Sequence, residues 1–283
     1  MIIFDMDITC DVKIINYKHM KSISFILPVI LLLMATVVNC QNTNEITDPE
    51  LTEIWEPQPP VVEPVDVHGE PPEDAVILFD GTSLDNWVGA DGSEPQWIVE
   101  DGHMTVNPGT GGITTRQEFS DIQLHIEWRA PEVIDGEGQG RGNSGIFLQE
   151  RYEVQVLDNW ENPTYSNGMN GSIYKQHIPL ANPAKRPGEW QTYQIFFKSP
   201  VFDENGDVEE PAYITVMLNG VLIQNNVEIF GNTEYIGPPS YEEHGPAGIH
   251  LQDHSDRVSF RNIWIRELDE EIRFKDGIWR DPQ

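Results

Sequence analysis

GRGNSGIFLQERYEVQVLD, residues 140–158, decides how this 283-residue chain folds. Ile146 and Leu148 alternate with Phe147 and Gln149, and after a short polar break Val154 and Val156 alternate with Glu153 and Gln155. Alternation with a period of two predicts strands that bury one face and present the other. The presented set, one acid and two amides, is either an ordinary solvated face or a polar platform. The return of the pattern elsewhere favours the platform.

Outward from this stretch, Phe119 to Arg129 sets Ile122, Leu124, Ile126 and Trp128 against Gln123, His125, Glu127 and Arg129. Trp190 to Lys198 alternates again, and Tyr213 to Leu218 runs through the hairpin signal Asn219-Gly220 into Val221 to Gln224. Shorter apolar runs are Val76 to Phe79, Leu84 to Trp87, Gln96 to Val99, Met104 to Val106, Gly112 to Thr115, Ser172 to Gln176 and Gly248 to Gln252; Val258 to Glu267 closes the series. No window has the period of an amphipathic helix. About a dozen short strands joined by Gly, Asn and Asp turns predict an all-β fold, a sandwich of two antiparallel sheets. The Gly-rich stretch Gly136 to Gly142 lacks the strand-to-helix setting and the lysine of a phosphate cradle, and reads as a lip.

A formal charge of −30, from 47 acidic against 17 basic residues, argues against nucleic acid and anionic lipid surfaces. A neutral partner such as a carbohydrate, or a bound cation, suits such a surface. The two cysteines, Cys10 and Cys40, both precede the folded region, so no disulfide staples it. Lys18 and Lys21 precede an apolar run from Ile23 to Val38, the pattern of a signal peptide over residues 1–40. Met20 is the more natural start, because Asp5, Asp7 and Asp11 occupy the place of a basic region. Val37 to Cys40 is similar to a lipoprotein cleavage site, although Asn39 stands where a small residue is usual. Membrane attachment through lipidated Cys40, or plain secretion, is expected. Residues 41–74 carry seven prolines and acids but no Lys or Arg, and read as an extended linker. The folded domain is expected over 75–268, with a tail at 269–283.

The outward rows hold the candidate chemistry: His125, Glu127 and Arg129; Gln149, Glu153 and Gln155, with Asp158 at a strand end; Tyr174, with Lys175 opposite; and His250, Gln252 and His254. Sharing one sheet, they would line a concave face able to grip a sugar, with Asn143 in a turn and Trp160 or Tyr174 stacking on it. Taken singly, Glu127 and Arg129 make an ordinary surface ion pair, and the two histidines lack a third ligand for zinc. No Gly-x-Ser-x-Gly elbow and no cysteine nucleophile is present in the domain.

LFDGTSLDNW (78–87), WIVEDG (97–102), EWR (127–129), GNSGIF (142–147), YEVQVLD (152–158), GEW (188–190), LNG (218–220) and GIHLQDHSDRVSFRNIWI (248–265) stand in the order of a known family. The chain resembles the 3-keto-disaccharide hydrolase domain family. The resemblance implies a concanavalin-like jelly roll, exported by bacteria to the periplasm or outer membrane, acting on glycosides oxidised to a ketone at C3. The ketone acidifies the C2 hydrogen, so a base can remove it, the C1 substituent can leave, and water can add back. Such chemistry needs a base, a group stabilising the enolate and an acid. Glu153 or a histidine of the His250/His254 pair suits the base, Arg129 or a divalent metal ion the enolate, and Asp158 the orientation of a partner. A carbohydrate-binding module without turnover is one alternative. A two-carboxylate glycosidase using Glu127 and Glu153 is another.

Overall fold

The computed structural model describes residues 49–53, 55, 56, 58 and 70–268. The signal peptide of 1–40 with Cys40, much of the 41–74 linker and the 269–283 tail lie outside the described residues.

Among the described residues, fifteen strands follow in order: β1 Val76–Phe79, β2 Trp87–Gly89, β3 Ile98–Glu100, β4 His103–Thr105 and β5 Ile113–Thr115. Then come β6 Ile122–Arg129, β7 Ser144–Leu148, β8 Tyr152–Val156, β9 Gln191–Lys198 and β10 Val201–Phe202. The last are β11 Val208–Glu210, β12 Tyr213–Leu218, β13 Val221–Glu228, β14 His250–Leu251 and β15 Ser259–Glu267. Eight strands make one sheet in the order β13-β12-β9-β6-β15-β4-β3, with β1 also on β15; five make the other, β2-β5-β14-β7-β8. The fold is the expected jelly-roll sandwich of antiparallel sheets, with an added two-stranded ribbon, β10-β11. That ribbon, not expected from the sequence, turns through Asp203 to Asp207, where Gly206 takes φ +82°.

The alternation read from the sequence sets the two layers face to face. Ile122, Leu124, Ile126 and Trp128 of β6, and Ile146, Leu148, Val154 and Val156 of β7 and β8, are all at most 1% exposed and share one core. Fully burying such a side chain contributes ~1.5–3 kcal/mol, and no disulfide is needed. The Asn219-Gly220 hairpin has both central residues at positive φ, 51° and 79°, as a primed turn requires.

Three segments differ from expectation. Leu84 to Asn86 is a turn, and its strand begins only at Trp87. Val221 to Glu228 pairs beyond Gln224, through irregular register against β12. Ser172 to Gln176 is not a strand: Ile173 bridges Val154 and His177, Lys175 takes φ +58°, and the 176 and 177 amides both turn back to the Ile173 carbonyl.

Tyr193 ties the layers together. Its ring packs on Trp128 at 5.9 Å, and its buried hydroxyl donates to the Gln155 carbonyl at 2.7 Å and meets the Asn170 side chain. Tyr193→Phe should leave the Asn170 side-chain oxygen buried without its donor, while the Gln155 carbonyl keeps the Gly171 amide, lowering stability by ~1–3 kcal/mol in urea unfolding with little change in slope.

Candidate active site

The outer face of the five-stranded sheet carries the platform. In register, His250 lies opposite Phe147, which lies opposite Glu153. Gly145 lies opposite Gln155, and the Gln252 amide donates to the Gly145 carbonyl at 3.0 Å. Because Ile146, Val154 and Leu251 are buried inward, this set points outward. The segment after β8 then folds along the sheet edge: the Gln155 amide donates to the Ser172 carbonyl, and the Tyr174 amide to the Glu153 carbonyl. The result is a cavity of about 550 Å³, within the usual size of small-ligand sites. It is lined by Asn143, Glu153, Gln155, Tyr174, Gln252 and His254, all read from the sequence, and by Glu53, Gln139, Phe147, Tyr165, Thr233 and Tyr235, which were not.

Glu153 is the chemical centre. Only 5% of it is exposed, and burial pushes its carboxyl up to about 8. Its Oε1 overhangs Gly145, where a Cβ would stand 2.6 Å from that oxygen and 2.8 Å from the Phe147 ring. The Gln155 side-chain oxygen stands 2.9 Å from Glu153 Oε1, where only a protonated Glu153 can donate to it, and 3.1 Å from the Ser144 carbonyl. Gln155 then donates to Gln139 Oε1 at 3.0 Å, and Gln139 to Thr164 Oγ1 and the Gly168 carbonyl at 3.0 and 2.8 Å. An ionised Glu153 calls for the Gln155 amide turned over. Its nitrogen then reaches Glu153 and the Ser144 carbonyl, but its oxygen confronts Gln139 Oε1 at 3.0 Å. Amide orientation here follows the proton.

His254 reaches the cavity from a loop, not from a strand face. The neighbouring Asp253 carboxylate pins that loop by accepting from the Gly109, Gly111 and Ser255 amides at 2.8, 3.0 and 2.9 Å. The Tyr165 and Tyr174 hydroxyls sit 2.7 Å apart, and burial pushes Tyr174 up to about 12. Lys175 is at the rim, donating to the Tyr235 carbonyl at 2.9 Å. Burial lowers its pKa.

Eight of the expected site residues stand outside the cavity lining. His250 lies beside Phe147, ring centroids 5.6 Å apart, with Nδ1 on Thr114 Oγ1 at 2.9 Å and its ring over Gly112; burial holds it down to about 4. It braces Phe147 from the same face. His125, Glu127 and Arg129 share β6 with core-facing Ile126 and Trp128, so they point out of the eight-stranded sheet, on the far side of the sandwich. There Arg129 meets His103 at 3.2 Å and stacks on Trp190. Burial would raise Glu127, but His125, Asn262 and Arg261 hold it ionised at about 2. A glycosidase pair of Glu127 and Glu153 is therefore ruled out by the core between them. Gln149 fastens the β7-β8 turn to Phe119 and Ser199, both at 3.0 Å. Asp158 clamps Arg141 at 2.7 Å and caps the Trp160 amide, while Trp160 lies under Arg186. Lys175 completes the eight as a rim residue. Among the described residues, no group of three or more His, Cys, Asp or Glu is placed to hold a metal ion.

Known proteins share this sequence pattern and fold. Residues 74–266 match the family described as 3-keto-alpha-glucoside-1,2-lyase-like domain. A 3-keto-disaccharide hydrolase of Bacteroides thetaiotaomicron is 28% identical, over 73% of this chain and 81% of that protein. The crystal structure of a candidate glycosyl hydrolase from Parabacteroides distasonis ATCC 8503 is 52% identical, covering 77% of this chain and 96% of that one, with a TM-score of 0.70. A second structure of a candidate glycosyl hydrolase from the same strain shares the fold at 21% identity and a TM-score of 0.52, covering 70% of this chain and 95% of that one.

The raised Glu153 pKa has a stability signature. An unfolded glutamate ionises near 4.5, the folded one near 8, so the native state holds the extra proton between those values. Stability from this site is full below about pH 4.5 and is lost as pH rises through 8. Glu153→Gln should remove that loss, gaining on the order of 4 kcal/mol relative to the parent between pH 5 and pH 8.5, read by denaturant unfolding at each pH. Gly145→Ala should displace Glu153 and Phe147, costing ~1–3 kcal/mol and closing part of the cavity.

Proposed function

The chain belongs to the 3-keto-alpha-glucoside-1,2-lyase-like family, and on that premise we propose that it is a carbohydrate hydrolase that cleaves 3-keto-glycosides by elimination and rehydration. The observation that carries the reading is one cavity holding a buried carboxyl kept neutral, Glu153, and an imidazole, His254. His254 takes the C2 proton, and the C–H electron pair passes into the enolate of the C3 ketone. The enolate collapses to an enone as the C1–O bond breaks, and the departing oxygen receives the Glu153 proton. Water then adds at C1 and returns a proton to Glu153, while His254 returns its own to C2. Atoms balance, and both groups are regenerated. The Gln252 side-chain amide and the Tyr174 hydroxyl are the donors at hand for the enolate oxygen, and Phe147 supplies an apolar floor for the ring. The basic-then-apolar leader of residues 1–40 supports export to the periplasm or outer membrane, with lipid at Cys40 as the anchor.

Purified protein should cleave a 3-keto-glucoside and leave its unoxidised parent intact. His254→Ala and Glu153→Gln should each lower kcat by roughly 100-fold or more. With Glu153 as acid, kcat/KM should fall as pH rises through about 8, and the Gln variant should lose that limb. Equal cleavage of both sugars, or full turnover by His254→Ala, would overturn the assignment. Sugar binding without any turnover would make the protein a binding module.

A further inference from the structure

The described part of the linker, within residues 49–58, lies against the cavity. Pro49–Thr52 forms a single 3-10 turn, and the Pro49 carbonyl accepts from Lys175 Nζ at 3.1 Å. Ser166 Oγ donates to the Trp55 carbonyl at 2.9 Å. Gln58 Nε2 donates to the Thr164 carbonyl at 3.2 Å and to Ser166 Oγ at 3.0 Å. These anchors all fall on the stretch that also supplies Tyr165 and Tyr174 to the cavity. Glu53 is placed in the cavity wall, and the Trp55 indole donates to its carboxylate at 3.2 Å. Trp55 also sets its ring edgewise on Tyr165, centroids 6.3 Å apart, yet remains 53% exposed. Tyr235, another cavity residue, is 60% exposed, with Lys175 Nζ 4.8 Å from its ring centre. Lys175 thus joins the linker to the Tyr235 loop.

Two exposed aromatic rings and a carboxylate at the mouth of a polar cavity are the groups that recognise a sugar ring. The rings cover its apolar C–H face, and the carboxylate accepts from its hydroxyls. Holding Trp55 in one place has no use for a mere spacer. We propose that residues 49–53, 55, 56 and 58 belong to a strap that builds an outer subsite for the leaving-group sugar, with Trp55 and Glu53 setting which leaving groups the enzyme accepts. This rests on the keto-glycoside reading for the identity of the sugar, but not for the existence of the subsite. The inner platform of Glu153, Gln155 and Gln252 then grips the oxidised ring, and the strap grips the ring that departs.

The test compares kcat/KM of the full chain and of Trp55→Ala on a 3-keto-disaccharide and on methyl 3-keto-glucoside, whose leaving group is too small to reach the strap. The variant is expected to lose about fivefold to tenfold more on the disaccharide than on the methyl glycoside, mostly in KM. Glu53→Gln should shift the ratio in the same direction. Equal losses on both substrates, or none on either, would overturn the proposal. If the parent chain cleaves neither keto-sugar, the activity falls first, and calorimetric titration with an unoxidised glucose disaccharide decides the subsite separately. Tighter binding by the parent than by Trp55→Ala supports it; equal or absent binding sinks it. Trp55 is half exposed, so a thermal unfolding midpoint close to that of the parent is expected and serves as the folding control.

Discussion

A strand turns successive side chains to opposite faces, and in a two-layer sandwich this single rule fixes which polar groups can meet. The same alternation that presses Ile126 against the Ile146 layer sends Glu127 and Glu153 to opposite outsides, with the shared core between them. Sheets pack about 10 Å apart, too far for one substrate to touch both outer faces. Every other feature of the site follows from being on the five-stranded side. The eight-stranded side keeps an ionised, fully paired Glu127 beneath Arg261 and Asn262. The five-stranded side keeps a protonated Glu153 in a cavity. Two carboxyls with the same pattern in the sequence end with opposite charge states, and environment alone decides it.

Burying a carboxyl outside the core takes structure on three sides. Below, Gly145 leaves the space that Glu153 Oε1 fills. Beside it, Phe147 excludes water and is itself held by His250. Above, the 171–177 segment seals the sheet edge by backbone pairing with Glu153 and Gln155. That segment is neither strand nor helix. It is placed by reverse turns, and the positive φ of Lys175 directs its amine back over Tyr165, Tyr174 and Tyr235.

The fold was legible because burial leaves a period in the sequence. So were the site residues that stand on strand faces next to it: Glu153 and Gln155 are outward partners of buried Val154 and Val156. Membership of a sheet was not legible. His125, Glu127 and Arg129 carry the same alternation as Glu153, and nothing local says which layer β6 joins. Nor were the loop residues. Tyr165, Thr233 and Tyr235 sit where no periodicity exists, and Glu53 lies in a segment whose prolines and lack of cations read as a spacer. Phe147 gave a faint signal, an aromatic in a polar row. Gln252 and His254 were found for a partly mistaken reason, since β14 ends at Leu251 and a loop carries them onward.

The amide run from Glu153 has one more consequence. Gln155 touches Gln139, Gln139 touches Thr164, and the Thr164 carbonyl is where Gln58 fastens. The carboxyl that would trade protons and the segment that would sort substrates are thus terminals of one conduit, four contacts long. The first amide takes its orientation from the carboxyl and the second bonds the first, and the last contact of the series is the mooring of the outer wall. Floor and doorway of the cavity are in this way joined by hydrogen bonds alone, with no strand or helix between them.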